Sequence, residues 1–275
     1  MDGQARDTTP IQRQARQTGQ AWEVPPQGVP KALVLILGAA LPEVPPAGLR
    51  DLCLHWETAL TPWLAPEQMV HIRRFVPDGP ALAARVSRLL ARLLLLRGLQ
   101  SLGALRPGLC LERDMAGCPL LPGWRVSFSH SGRGAFCALE RMPSDPCEPD
   151  ARLDAPDRHP GLGLDAEALD SPPPAARAFT DGETKKAARG ALRRWAIKEA
   201  ALKALGLGLS HDPALICSGR YGGRAGLLRL RSQNLRWQVL ACPGHWLCLA
   251  RNDERTIPTV SLRWLAAGQV TNGCC

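Results

Sequence analysis

The chain reads as an α+β protein of two similar lobes, each a small antiparallel sheet packed on a long helix, with the active site expected between them. Three observations carry this reading. A buried-strand pattern, a long helical period and a hairpin pattern follow one another twice along the chain. The two long helices fall at 81–102 and at about 180–205. A proline-rich stretch, 141–160, separates the halves. No residue-level repeat accompanies this order, so duplication is an expectation from element order alone.

Taken in order, residues 1–30 are polar without a sustained period and read as a disordered N-terminal tail. The N-terminal lobe is expected over 31–140. It opens on the apolar run from Ala32, of which Ala32–Leu37 is read as a buried strand, and 42–48 follows as a loop. The helix 81–102 is rich in Leu, Ala and Arg, with Pro80 at its entry. Its Arg85, Arg88 and Arg92 recur at i, i+3 and i+7 as a basic stripe opposite a leucine face. Strands Arg125–Phe128 and Ala135–Leu139 are joined by a loop carrying Ser129, His130 and Ser131. After the linker 141–160, the C-terminal lobe is expected over 161–257. It begins with a strand at Leu162–Ala166 and continues with the second helix, capped by Thr180 or Asp181 and stopped by Gly206. Three strands follow near 226–231, 235–241 and 245–250. Residues 258–275 read as a weakly ordered tail.

Composition removes several classes of protein. With 275 residues, the chain can bury a core without disulfides or a structural metal. Gly (26) and Pro (25) together make up about a fifth of it, below the roughly 25–30% of low-complexity or fibrous chains. The longest apolar run has ten residues, where a membrane span needs about 20. The ten cysteines form no C-x-x-C pair, so they signal no zinc site and read as reduced thiols of a cytoplasmic protein. A net charge of +9 biases the chain toward an anionic partner. Nucleic acid is disfavoured, because four Phe and one Tyr offer little for base stacking.

Three constellations look chemical. In Gly163-Leu164-Asp165-Ala166-Glu167 the two acids lie at i and i+2 of a strand and project to one side. Carboxylates that close repel unless a cation lies between them, and an all-oxygen pair suits Mg²⁺. In Trp195-Ala196-Ile197-Lys198-Glu199-Ala200-Ala201-Leu202-Lys203, Glu199 and Lys203 share a helix face. Glu199 is the one acid among seven Lys or Arg between Lys185 and Lys203. Ser129-His130-Ser131-Gly132 combines hydroxyls, an imidazole and backbone N–H groups, the makings of an anion-binding concavity. A Ser/His nucleophile is not supported, since no G-x-S-x-G elbow occurs.

Together, in the order S-H-S, G-L-D-A-E, W-A-I-K-E-A-A-L-K and then Gly206–Ser210, these segments resemble the surfactin-synthetase-type 4′-phosphopantetheinyl transferases. The resemblance covers roughly 60–250, with looser matches at Pro66-Glu67 and Arg73-Arg74-Phe75. It implies two α+β lobes and transfer of the phosphopantetheine arm of coenzyme A to a serine of an acidic apo carrier protein. It further implies Mg²⁺ dependence, release of 3′,5′-ADP and action as a monomer. By the same resemblance, Asp165, Glu167 and Glu199 hold the metal, and Glu199 is also the base for the carrier serine. Lys203 meets the pyrophosphate of CoA, and Ser129 and His130 touch phosphates. Either Arg85 or Arg88 fills a basic position. Gly117-Cys118-Pro119 stands where many members have Gly-Lys-Pro, and Gln68 and His71 stand where basic residues are expected. A non-catalytic CoA-binding relative and, further off, a basic nucleic-acid-binding module are the competing readings.

Overall fold

The computed structural model describes residues 33–76, 78–114, 116–142, 161–180, 183, 190–208, 211–218, 223–230, 233–252, 258–266 and 269–270. The expected tail 1–30 and nearly all of the linker 141–160 lie outside these residues.

Strand β1 (Leu33–Ala40) explains its own continuous apolar run. Leu35, Leu37 and Ala39 face the core under the first lobe's helices, whereas Val34 and Ile36 face a second core shared with the other lobe. A strand buried on both faces shows no polar alternation. Two helices that sequence reading passed over come next, α1 (Pro46–Leu60) and α2 (Pro66–Arg73). Each starts on a proline. The proline that reads as a loop marker in 42–48 is tolerated in a first turn, where its missing N–H has no helical partner anyway. Helix α3 (Gly79–Ser101) is capped by the Asp78 carboxylate, which accepts from Gly79 N at 2.9 Å. Strands β2 (Glu112–Arg113) and β3 (Pro119–Leu120) form a short ribbon. Strands β4 (Trp124–His130) and β5 (Gly134–Arg141) form the hairpin, so Ser129 and His130 sit on a strand and only the turn beyond them is a loop.

The second lobe begins with β6 (Leu162–Ala168). Helix α4 spans Ala191–Ala204, later than the expected start, while 184–189 fall outside the described residues. Near the expected cap, Thr180 N donates to Glu183 Oε2 at 3.0 Å. Gly206 stops α4 as anticipated. Its φ of +67° puts it in the left-handed region, and Gly206 N and Leu207 N bond back to Lys203 O and Leu202 O. Strands β7 (Ala225–Leu230), β8 (Gln233–Cys242) and β9 (His245–Arg251) complete a four-stranded antiparallel sheet ordered β6-β9-β8-β7.

The C-terminal segment corrects the sequence reading. Residues expected as a weakly ordered tail contain β10 (Thr259–Leu265), which pairs in parallel with β1 in the first lobe. The first sheet is therefore mixed, ordered β10-β1-β5-β4. The chain crosses back from the second lobe, and Val260 and Leu262 pack on the shared core of Val34, Ile36, Phe136, Leu164 and Leu247.

Helix α4 lies directly on β6 at Gly163, where a Cβ would collide with the Ala200 carbonyl and crowd Ala204 N. Gly163→Ala is expected to destabilise the fold by about 1–3 kcal/mol through overpacking. The midpoint of denaturant unfolding checks this, and an unshifted midpoint would contradict the close approach.

Candidate active site

The site lies where β6, α4 and β4 meet. Strand alternation sends Leu164 and Ala166 into the shared core, leaving Asp165 and Glu167 on the side covered by α4. Helical spacing brings Glu199 and Lys203 over them. Lys203 Nζ lies 2.6 Å from Asp165 Oδ1, 3.1 Å from Leu164 O and 3.6 Å from Glu199 Oε2. Asp165 is buried, and its Oδ2 accepts no hydrogen bond among the described residues. Two carboxylates thus share one ammonium, and Glu167 feels its charge. Burial first, then the charges of Asp165 and Glu199, push the Glu167 carboxyl up to about 7, against the opposing pull of Lys203 and a hydrogen bond from Trp195. Burial and Asp165 likewise push Glu199 up to about 7. Burial would lower the Lys203 pKa, but Asp165 and Glu199 hold it above the ordinary lysine value.

Ser129 has a different task from the one the motif suggests. Its hydroxyl donates to Asp165 Oδ1 at 2.9 Å and accepts from Ala166 N at 3.0 Å. It holds Asp165 in place instead of offering a free hydroxyl to a phosphate. His130 is the next residue on β4 and stays open to solvent. Desolvation, then the charges of Arg88 and Lys203, push its pKa down to about 4. The part of that depression that comes from Arg88, Lys203 and Arg92 reports positive neighbours, whose effect a bound anion would relieve.

The arginine stripe does not face solvent as one band. Arg85 is buried against Glu57 of α1, donating through Nε at 2.7 Å, and also reaches Phe75 O. It is committed to joining helices. Arg88 lies 3.8 Å over the Phe75 ring. Arg92 lies 4.4 Å over Phe128 and donates to Gln68 Oε1 at 3.0 Å. Gln68 is itself buried and donates to Glu112 O, so it serves as a brace for Arg92. His71, Arg74 and Arg113 line an open pocket of about 400 Å³ with Pro66, Glu67 and Val70. Burial, then Arg113 and Arg74, push His71 down to about 3. Arg113 donates through Nε to Gly117 O, which places a cation beside the Gly-Cys-Pro turn that lacks a lysine. Cys118 N is held by Asp114 at 2.7 Å, and burial pushes its thiol up to about 11.

Sequence reading placed Arg92 in the stripe without a role of its own, and missed Arg113 and the roles of Trp195 and Lys198. Lys198 has no exposed surface. It pairs with Glu183 Oε2 at 2.7 Å and donates to Ala178 O and Pro213 O, tying the segments on both sides of α4 to the helix. Burial alone would raise Glu183, but hydrogen bonds from Lys198 and Ser218 hold it at about 2. The one available signal was position: Lys198 and Glu199 are adjacent on a helix, so they point to different neighbours.

Residues 161–250 match the family model described as ACPS, the 4′-phosphopantetheinyl transferase superfamily. That stretch is similar to this superfamily, and it contains Asp165, Glu167, Glu199 and Lys203. No curated protein matches the chain. Helix α3 and the arginine pocket lie outside the matched residues. Among the described residues, no three His, Cys, Asp or Glu side chains are already gathered as a metal cage, and no helix is long and apolar enough to cross a membrane.

Glu167 and Glu199 have folded pKa values above the reference of 4.5, so the folded chain binds more protons between about pH 4.5 and 7. Their contribution to stability therefore falls as pH rises through that window. Without divalent cations, Glu199→Gln is expected to exceed the wild type in stability at pH 8 by on the order of 1–3 kcal/mol. The gap should close near pH 4.5. Thermal melts across pH check this, and a gap independent of pH would remove the assigned repulsion.

Proposed function

We propose that the protein is a 4′-phosphopantetheinyl transferase of the holo-[acyl-carrier-protein] synthase kind. It moves the 4′-phosphopantetheine of coenzyme A onto a serine of an acidic apo carrier protein, acyl or peptidyl, with Mg²⁺. The observation that carries this reading is the unpartnered, buried Asp165 Oδ2 among three carboxylates and one lysine, next to a cluster of arginines and histidines.

The residues fit a hard divalent cation in donor chemistry. Asp165, Glu167 and Glu199 supply oxygen only, and burial together with the surplus negative charge raises the pKa of Glu167 and Glu199. Asp165, Glu167 and Glu199 would hold Mg²⁺, which when bound neutralises charge on the pyrophosphate. The chain's own groups do the rest. Arg88, His130 and Lys203 bind and orient the phosphates, with Arg92 and Arg113 adding positive potential. Glu199 takes the proton from the carrier serine hydroxyl as its oxygen attacks the β-phosphorus. The bond from that phosphorus to the bridging oxygen breaks, and 3′,5′-ADP leaves with the electron pair while Lys203 stabilises it. The net charge of +9 steers an acidic carrier toward the site. The reading includes a monomer in the cytoplasm that binds no nucleic acid.

Intact-mass analysis of apo carriers incubated with the protein, CoA and Mg²⁺ is expected to show a gain of one phosphopantetheine, lost with EDTA. CoA binding without a mass gain on any carrier would support the non-catalytic relative, and no CoA binding would remove both readings. Glu199→Gln is expected to lower kcat by about 10²–10⁴.

A further inference from the structure

The two sheets meet along β4 and β6, which are both edge strands and share no backbone ladder. An edge strand leaves outward N–H and C=O groups to be satisfied. Here side chains do it. Ser127 Oγ accepts from Leu164 N at 2.9 Å, and Ser129 Oγ accepts from Ala166 N at 3.0 Å. Lys203 Nζ donates to Leu164 O. The serines step by two along β4 as their partners step by two along β6, so the pairing has a register.

The next step is Ser131, just past the end of β4. At that level Ala168 pairs with His245 on β9. The His245 ring is buried between the sheets, edge-on to Phe136 at 5.0 Å and 5.9 Å from Trp264 of β10. Its Nδ1 lies 2.7 Å from Pro243 O and its Nε2 lies 2.8 Å from Ser131 Oγ. A carbonyl only accepts, so Nδ1 carries the proton. A neutral ring then accepts at Nε2, and the Ser131 hydroxyl donates. Its oxygen in turn accepts from Arg133 N and Gly134 N at 3.1 Å each. Every group is satisfied in one arrangement only, which also ties down the hairpin turn.

We propose that His245, outside every motif, is a positioning residue of the site: through Ser131 it locks β4 in register against β6, and so sets where Ser129 holds Asp165 and where His130 stands. The substrate arm of the test rests on the transferase reading, and the exchange arm does not. In His245→Ala and Ser131→Ala, hydrogen exchange at the Leu164 and Ala166 amides is expected to quicken about tenfold, while Leu93 in α3 is unchanged. Affinity for CoA, by calorimetry, should weaken about tenfold in each variant and no further in the double variant. His245→Gln keeps an acceptor near the position of Nε2 and should restore both readings to within about twofold. Unchanged exchange at Leu164 and Ala166, additive losses in the double variant, or no rescue by glutamine would each overturn the proposal. If the wild type binds no CoA, the transferase reading fails and the exchange measurements still decide the role of His245.

Discussion

Asp165 sits at the point on which the arrangement turns. It is buried on an edge strand, one oxygen taken by Ser129 and Lys203 and the other without a partner among the described residues. A carboxylate so placed is costly unless a cation compensates it. Lys203 compensates one charge, but Glu167 and Glu199 add two more, and both resist ionisation. The fold therefore maintains unspent negative potential where the lobes join. That potential suits a divalent cation and leaves a glutamate whose proton affinity falls near neutral pH.

Beside this negative spot the chain places a positive one and insulates each from the other by structure. Arg85 is neutralised by Glu57 inside the helical layer, so it adds little to the site. Arg88 and Arg92 lie over Phe75 and Phe128 and, among the described residues, have no carboxylate partner within ion-pair distance. Burial depresses both guanidinium pKa values, to about 10 and about 9, and each remains charged at neutral pH. Aromatic faces hold a guanidinium in place without quenching its charge. Two histidines, His71 and His130, register the resulting field by their lowered pKa values. An anionic ligand lying across both spots would meet arginines at one end and the carboxylate group at the other.

Much of this was legible in the residues. Gly163, Asp165, Glu167, Glu199 and Lys203 were readable because their spacing matches the two periods of backbone structure, two along a strand and 3.6 along a helix. The Gly206 stop was readable because a positive φ there favours glycine. The helices at Pro46 and Pro66 were not, since a proline marks a loop or a first helical turn equally well. The strand Thr259–Leu265 was hidden for another reason. Its pairing partner is β1, more than 200 residues earlier, and local pattern carries no information about a contact made across the whole chain.

The sequence by itself determined the α+β class, the spacing that puts Asp165 with Glu167 and Glu199 with Lys203, and the chain's own positive net charge, because each follows from residue type and short-range spacing. Only the tertiary structure decided that Arg85 is internal while Arg88 lies over Phe75, that Ser129 bonds Asp165, and that His245 reaches Ser131. Those assignments depend on which side chain reaches which neighbour 28, 36 or 114 residues away. Such pairings are set by how two edge strands and a helix pack, and no periodicity along the chain encodes them.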